Sequence, residues 1–384
     1  MIYRDFKGKK LSALGLGCMR LPVIDGQYGN IDKEATAAMV AYAMEKGINY
    51  YDTAWGYHDK TSETVMGEIL SQYPRNSYYL ASKMPGFGPE HWENKEEIFE
   101  TQLKKCRVEY FDFYLFHANS AARHERFKNT RAYDIVQELK SEGKIRHVGM
   151  SFHDSARVLD KILTERPEIE VVQLQLNYVD WDDMKVQSRK CYDVCKKHGK
   201  PVLVMEPVKG GTLVNLPEKA VKELNGTSPA QLAIRFAASF PEVAMVLSGM
   251  SNMEQMVENV SFMKDFKPLT FAEEQIVGRV RTIYQAQNRI PCTGCKYCVE
   301  GCYGQINIPQ VFARMNDVLE GKEGAVEAYK ALDRAADRCV GCDMCSHVCP
   351  QGLNIRMLMG QIQDRFGSRT KKTPRDRLRE KKAK

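Results

Sequence analysis

Residues 47–57 read GINYYDTAWGY. The apolar run Ile48 to Tyr51, broken only by Asn49, ends in Asp52, and a short turn carries the chain on to Tyr57. This is the pattern of a buried strand that delivers polar side chains into the loop beyond it. Seven other stretches have the same character, at 13–17, 78–83, 112–117, 147–151, 171–176, 201–205 and 244–248. Amphipathic stretches of helical length separate them, at 33–46, 62–71, 95–106, 132–142, 155–163, 184–197, 229–240 and 253–263. Strict strand and helix alternation over about 250 residues predicts an α/β fold, a (β/α)8 TIM barrel, with a doubly wound open sheet as the alternative.

In such a barrel the chemistry comes from the carboxyl ends of the strands. The polar residues there are Asp52, Lys83, His117, Ser151, Gln173, Asn177, Glu206 and Ser248. With Tyr57, three of these positions form a proton-donating group. A tyrosine hydroxyl titrates near pH 10 and needs a neighbouring cation to act as an acid near neutrality. Lys83 would supply the cation and lower the Tyr57 pKa, Asp52 would hold the lysine, and His117 would orient a carbonyl. His58 and His153 read as ordinary loop residues.

Eight of the twelve cysteines lie between 292 and 349, so the chain changes character near residue 286. Cys292, Cys295, Cys298 and Cys302 have the spacing C-x2-C-x2-C-x3-C, and Cys339, Cys342, Cys345 and Cys349 repeat it. That spacing resembles the bacterial-type ferredoxins with two 4Fe-4S clusters, in which the fourth cysteine of each run serves the other cluster. The resemblance pairs Cys349 with 292, 295 and 298, and Cys302 with 339, 342 and 345. Pro350 follows the second run as in that pattern, whereas Tyr303 follows the first. Zinc held by four cysteines is the alternative, although zinc ribbons draw two ligands from each of two separated knuckles. The insertion 303–338, with Val311, Met315 and Leu319, is expected to form helices. Cys191 and Cys195, one helical turn apart, are expected to pack rather than bind.

At 384 residues, with 43% apolar and 27% charged residues, the composition is that of a globular chain and not of a disordered or membrane-spanning one. No signal peptide opens the sequence, so a cytoplasmic location is expected. The formal charge of +7 would suggest nucleic acid, but residues 365–384 hold ten Lys/Arg against two Asp/Glu, so the rest of the chain is close to neutral. A solvated tail is the first reading, with a polyanion or partner contact as the alternative; no membrane contact is expected, and nucleic acid is not the expected partner. The expected domains are a barrel at 1–285, a small α-helical ferredoxin-like domain at 286–364 and a disordered basic tail at 365–384.

The first domain resembles the aldo-keto reductase family. The resemblance rests on GLGCMRLP at 15–22, GINYYDTAWGY at 47–57, ASKMP at 81–85, His117 in FHANS, GMS at 149–151, EPVKGG at 206–211 and SGMSNMEQMVENV at 248–260. It implies Asp52, Tyr57, Lys83 and His117 as a catalytic tetrad and NAD(H) or NADP(H) across the barrel mouth. The implied cofactor contacts are Met19, Arg20, Asp52, Ser151, Gln173, Met205, Glu206, Pro207, Val208, Lys209, Gly210, Gly211, Ser248, Gly249, Gln255 and Asn259, with Lys209 at the pyrophosphate. Phe152 stands where the family has an asparagine, and Met205 replaces the aromatic residue that commonly stacks on the nicotinamide. Gly249 and Gln255 occupy positions where NADPH-preferring members carry a lysine and an arginine, which implies that NADH serves at least as well.

Three functional readings follow. The first is a carbonyl reductase with a small-molecule substrate, whose clusters are structural or serve an electron-transfer protein partner. The second is a ferredoxin-coupled redox enzyme, in which bound flavin would bridge two-electron and one-electron chemistry. The third is a non-enzymatic redox sensor on a barrel scaffold. The complete tetrad favours the first.

Overall fold

A computed structural model describes residues 1–367; the basic stretch from 368 onward, most of the expected tail, lies outside the described residues. The chain divides into two compact units. One comprises Met1–Val208 and Leu213–Arg281, the other Lys209–Thr212 together with the chain from Thr282. The division therefore falls inside the helix Phe271–Gln285.

The first unit opens with a hairpin, β1 (Tyr3–Phe6) and β2 (Lys9–Ser12). Its turn residues Lys7 and Gly8 both have positive φ, at 50° and 79°. That is the two-residue turn whose twist matches a hairpin, and glycine at the second position makes it inexpensive. Eight parallel strands follow: β3 (Leu14–Gly17), β4 (Tyr50–Asp52), β5 (Tyr79–Met84), β6 (Phe111–Asn119), β7 (Ile145–Phe152), β8 (Val171–Gln175), β9 (Val202–Met205) and β10 (Val243–Ser248). Each pairs with the next, and β10 pairs with β3, which closes the barrel and excludes the open sheet. The hairpin was not legible in the sequence, because its strands are short and largely charged. Its anchors Phe6 and Leu11 are buried with Tyr50, Phe113, Leu203 and Met245 inside the barrel.

Several helices start at a side-chain cap. Asp32 accepts from Ala35 N–H at 2.9 Å to start Lys33–Glu45, and Ser228 accepts from Gln231 N–H at 3.0 Å ahead of Pro229. The helix Ala156–Glu165 turns Leu159, Ile162 and Leu163 inward, each fully buried side chain contributing about 2 kcal/mol. Among the described residues no helix is long and apolar enough to cross a membrane.

The second unit is built on a duplicated loop and helix. Gly294 and Gly341, each two residues after the first cysteine of a run, share φ of 69°, and Lys296 and Asp343 follow with φ of 65° and 69°. Asn307 then caps Ile308–Leu319, and Asn354 caps Ile355–Phe366. Val311, Phe312, Met315, Ile355, Met359 and Ile362 form the core between these helices. The insertion is helical as expected, over Ile308–Leu319 and Ala325–Lys330. Arg365 and Phe366, expected in the tail, instead end the last helix, because Phe366 stacks on Tyr329 with ring centroids 4.0 Å apart.

Candidate active site and cluster cysteines

Three strands and the loop after β4 bring together the four residues expected to form a tetrad. Asp52 closes β4, Lys83 lies one residue from the end of β5, and His117 sits on β6. Lys83 Nζ donates to Asp52 Oδ1 at 2.6 Å and to the Thr53 carbonyl at 2.8 Å. Its ammonium lies 4.8 Å from the centroid of the Tyr57 ring. Tyr57 meets His117 edge to face at 5.9 Å, and Phe87 packs on His117 at 5.0 Å.

The electrostatics differ from the expectation at Tyr57. Burial is the largest influence and, with Asp52, Tyr28, Cys18 and Glu206 nearby, pushes the hydroxyl well above pH 10. The Lys83 ammonium, paired with Asp52, does not reverse that direction. Burial also pushes His117 far below its ordinary value, with Lys83 and Arg123 adding to the effect, so the imidazole is neutral. The group thus holds a protonated phenol beside a neutral imidazole and a paired lysine.

The sequence reading missed two supports. The loop after Asp52 runs through three consecutive left-handed residues, His58, Asp59 and Lys60. His58 holds that turn: its Nε2 accepts from Leu21 N–H at 3.1 Å, Nδ1 lies 2.6 Å from the Tyr28 carbonyl, and its ring stacks on Tyr28. An Nε2 that accepts leaves Nδ1 to donate, so this buried histidine is an uncharged bolt behind Tyr57. Behind Lys83, Gln102 Nε2 donates to Glu63 Oε1 at 2.7 Å, to Ser82 Oγ at 3.0 Å and to the Lys83 carbonyl at 3.0 Å. Its Oε1 accepts from the Tyr114 hydroxyl at 2.6 Å, so one buried amide fixes the peptide that carries Lys83. Gln102 lies on a helix, and nothing in its own sequence neighbourhood marks it.

The cofactor residues implied by the resemblance fall into three groups. Ser151 and Gln173 are register partners on β7 and β8. Ser151 Oγ accepts from Ala118 N–H at 2.7 Å, which leaves its proton to give, and Gln173 Nε2 donates to Asp52 Oδ2 at 3.1 Å, which leaves its carbonyl oxygen to accept. A donor beside an acceptor suits a primary carboxamide, so these residues fit a nicotinamide. Near the β10 end, Ser248 receives a hydrogen bond from Asn259 at 2.9 Å, Gln255 accepts from Ser251 N–H at 2.8 Å, and Ser251 donates to the Arg20 carbonyl at 2.8 Å. Gly249 lies against the Arg20 side chain. Met19 precedes Arg20, Met205 ends β9, and Glu206, Pro207 and Val208 follow it within the barrel unit. Lys209, Gly210 and Gly211, by contrast, belong to the second unit, where Lys209 is 4% exposed and donates to Gln351.

In the second unit the thiols line two cavities. One is bordered by Cys292, Cys295, Cys298 and Cys349; the other by Cys302, Cys339, Cys342 and Cys345. Three cysteines of one run and the fourth of the other meet at each, as the ferredoxin-like spacing implied. None of the eight is in a disulfide. Gly294 N–H donates to Cys292 Sγ at 3.5 Å, and the Gly341 backbone acts on Cys339 in the same way. Burial pushes the Cys298 thiol up, and pushes Cys345 up to about 11, so bare thiols there would stay protonated. Apolar walls, aligned N–H groups and four thiols around one space are the conditions for an iron-sulfur cluster.

Comparisons with known proteins agree with both units. Residues 13–277 match the Aldo/keto reductase family, and residues 291–354 match the 4Fe-4S dicluster domain. The NADH-specific methylglyoxal reductase of Escherichia coli is 24% identical over 303 residues, covering 65% of this chain and 89% of that protein. The L-galactose dehydrogenase of Arabidopsis thaliana is 26% identical over 295 residues, covering 70% and 89%. Among solved structures, an aldo-keto reductase from Bacillus halodurans in its holo form is 25% identical with a TM-score of 0.59, covering 73% of this chain and 96% of that one. One from Klebsiella pneumoniae in complex with NADPH is 19% identical with a TM-score of 0.58, covering 75% and 98%. The chain belongs to the aldo/keto reductase family and is an oxidoreductase whose barrel is followed by a 4Fe-4S dicluster domain.

Proposed function

We propose that the protein reduces a small carbonyl compound with hydride from a nicotinamide nucleotide, and that its two cysteine cavities each hold one 4Fe-4S cluster. The observation that carries this reading is the buried group of Asp52, Tyr57, Lys83 and His117 at the ends of neighbouring strands. The nucleotide, when bound, supplies hydride to the carbonyl carbon. Every other requirement falls to the chain. Tyr57 gives its hydroxyl proton to the carbonyl oxygen, completing the alcohol. Lys83 stands 4.8 Å from the ring whose oxygen gains charge as the proton leaves, and Asp52 keeps it there. Neutral His117 gives the oxygen a polar neighbour without competing as an acid. Ser151 and Gln173 would orient the carboxamide of the nucleotide, and Arg20, Ser248 and Gln255 would hold its adenosine end.

The resemblance of the barrel to an enzyme named as NADH-specific, and the absence of Lys or Arg between Arg235 and Lys264, support NADH as an accepted nucleotide. The eight cysteines would hold clusters able to exchange single electrons with a protein partner or to stabilise their unit, and the proposed location is the cytoplasm. The test is turnover of anaerobically prepared protein with NADH and with NADPH against a panel of small aldehydes and ketones, methylglyoxal included. Carbonyl-dependent nucleotide oxidation is expected. Its absence across the panel, with both clusters loaded, would sink the proposal.

A further inference from the structure

Lys209 stands in a segment whose neighbours on either side, Val208 and Leu213, belong to the barrel, while the segment itself belongs to the cysteine unit. Its side chain is buried and donates to Oε1 of Gln351. Gln351 lies two residues beyond Cys349 and lines the cavity bordered by Cys292, Cys295, Cys298 and Cys349. The segment is held at the other side of that cavity as well. Gly210, with φ of 64°, lies so close to Thr293 that a Cβ would come within 2.4 Å of the Thr293 carbonyl oxygen. Thr293 is the residue between Cys292 and Gly294 and lines the same cavity. Thr212 Oγ1 donates to the Lys209 carbonyl at 2.8 Å and accepts from the Tyr284 hydroxyl at 2.9 Å. A buried cation is therefore fixed one side chain away from one cavity by contacts on both cysteine runs. In the duplicated half Gly304 occupies the position equivalent to Gln351; Arg356 and Asp343 line the second cavity, whereas Lys296, the equivalent of Asp343, lines the first.

We infer that Lys209 sets the reduction potential of the cluster ligated by Cys292, Cys295, Cys298 and Cys349, stabilising its reduced form. The inference rests on that cavity holding a 4Fe-4S cluster. In the step, one electron enters from an external donor, no bond is made or broken, and the cluster with its four thiolates becomes more negative by one charge. A fixed positive charge in a low-dielectric surrounding favours the more negative state. This gives Lys209 a role apart from any pyrophosphate contact.

The test is anaerobic redox titration of the full-length, cluster-loaded protein with dithionite, followed by electron paramagnetic resonance, with iron content measured on each sample. Lys209→Met should lower the reduced-to-oxidised ratio of the first cluster about tenfold at fixed potential, equivalent to about 59 mV for a one-electron couple. The second cluster should not shift, and Lys209→Arg should restore the first. If Lys209→Met loses iron, Lys209→Gln, which keeps a donor for Gln351 without the charge, provides the same reading. Unchanged potentials in an iron-loaded neutral variant would overturn the inference. So would loss of the first cluster from all three variants, which would make Lys209 a folding element only. Iron content alone reports whether the underlying cluster assignment has failed.

Discussion

Lys83 Nζ and Asp52 Oδ1 lie 2.6 Å apart, in a site where the lysine is fully buried and the aspartate is 3% exposed. The pair does not stand alone: the Thr53 carbonyl accepts a further hydrogen bond from the lysine, and Gln173 donates one to the carboxylate. Charge is therefore stored beside Tyr57 without being free to ionise it, which suits a donor that must keep its proton until a carbonyl oxygen arrives.

Tyr57→Phe removes the transferable proton and leaves the ring packed against His117 and Lys83. Carbonyl reduction should fall by about 10² to 10⁴-fold, with nucleotide affinity nearly unchanged. Steady-state kinetics beside a nucleotide titration decide it, and wild-type turnover in the variant would remove Tyr57 from the mechanism.

Burial drives Tyr57 up and His117 down, so neither changes protonation across the neutral range. The rate of carbonyl reduction should be flat between about pH 6 and 9. A fall in kcat with an apparent pKa inside that window would show that Lys83 does depress the tyrosine once nucleotide is bound.

Anaerobically prepared protein should hold about eight irons per chain. Because Cys302 borders the cavity of Cys339, Cys342 and Cys345, Cys302→Ala should abolish that cluster and leave about four irons. Stoichiometric zinc, or loss of the cluster nearest Cys302 in sequence instead, would contradict the crossed arrangement.

With no Lys or Arg between Arg235 and Lys264, the segment after β10 lacks its own partner for a 2′-phosphate, although the Arg20 side chain lies against Gly249. Binding of NADH should be at least as tight as that of NADPH at matched ionic strength. A tenfold NADPH preference, about 1.4 kcal/mol, would reassign Arg20 as the phosphate ligand, and Arg20→Ala should then erase it.

Far from the mouth, Glu170 joins the hairpin turn to the barrel. Burial pushes its carboxyl up, but hydrogen bonds from His147, Lys140, Lys7 and the Val148 N–H outweigh burial and hold it well below the ordinary range. A depressed carboxyl contributes stability above its unfolded value of about 4.3 and loses it as pH falls below that. Glu170→Gln should cost about 2 kcal/mol at pH 7 in urea unfolding, with the difference shrinking in acid. A constant difference from pH 7 to 3 would mean the loss is one of shape and not of charge.

Much of the barrel was legible in the sequence, because buried parallel strands are continuous apolar runs and their ends are marked by the first polar residue. Asp52, Lys83 and His117 were found that way, and Tyr57 from its place in the loop after Asp52. The cysteine runs were legible because ligand spacing is a local property of the chain. The hairpin at Tyr3–Phe6 and Lys9–Ser12 was not, since Phe6 and Leu11 are too few to make a pattern until a barrel exists to receive them.

The sequence by itself determined the alternation that closes a barrel, the residues proposed as a tetrad and the repeated thiols. Only the tertiary structure decided that Gln102 braces the Lys83 peptide from a neighbouring helix, that Tyr57 is raised and not lowered, and that Lys209 joins the cysteine unit. The physical reason is common to all three. A hydrogen bond across 19 residues, a desolvation penalty and a contact between positions 209 and 351 all depend on what folding brings near and shuts away from water, and none is a property of neighbouring letters.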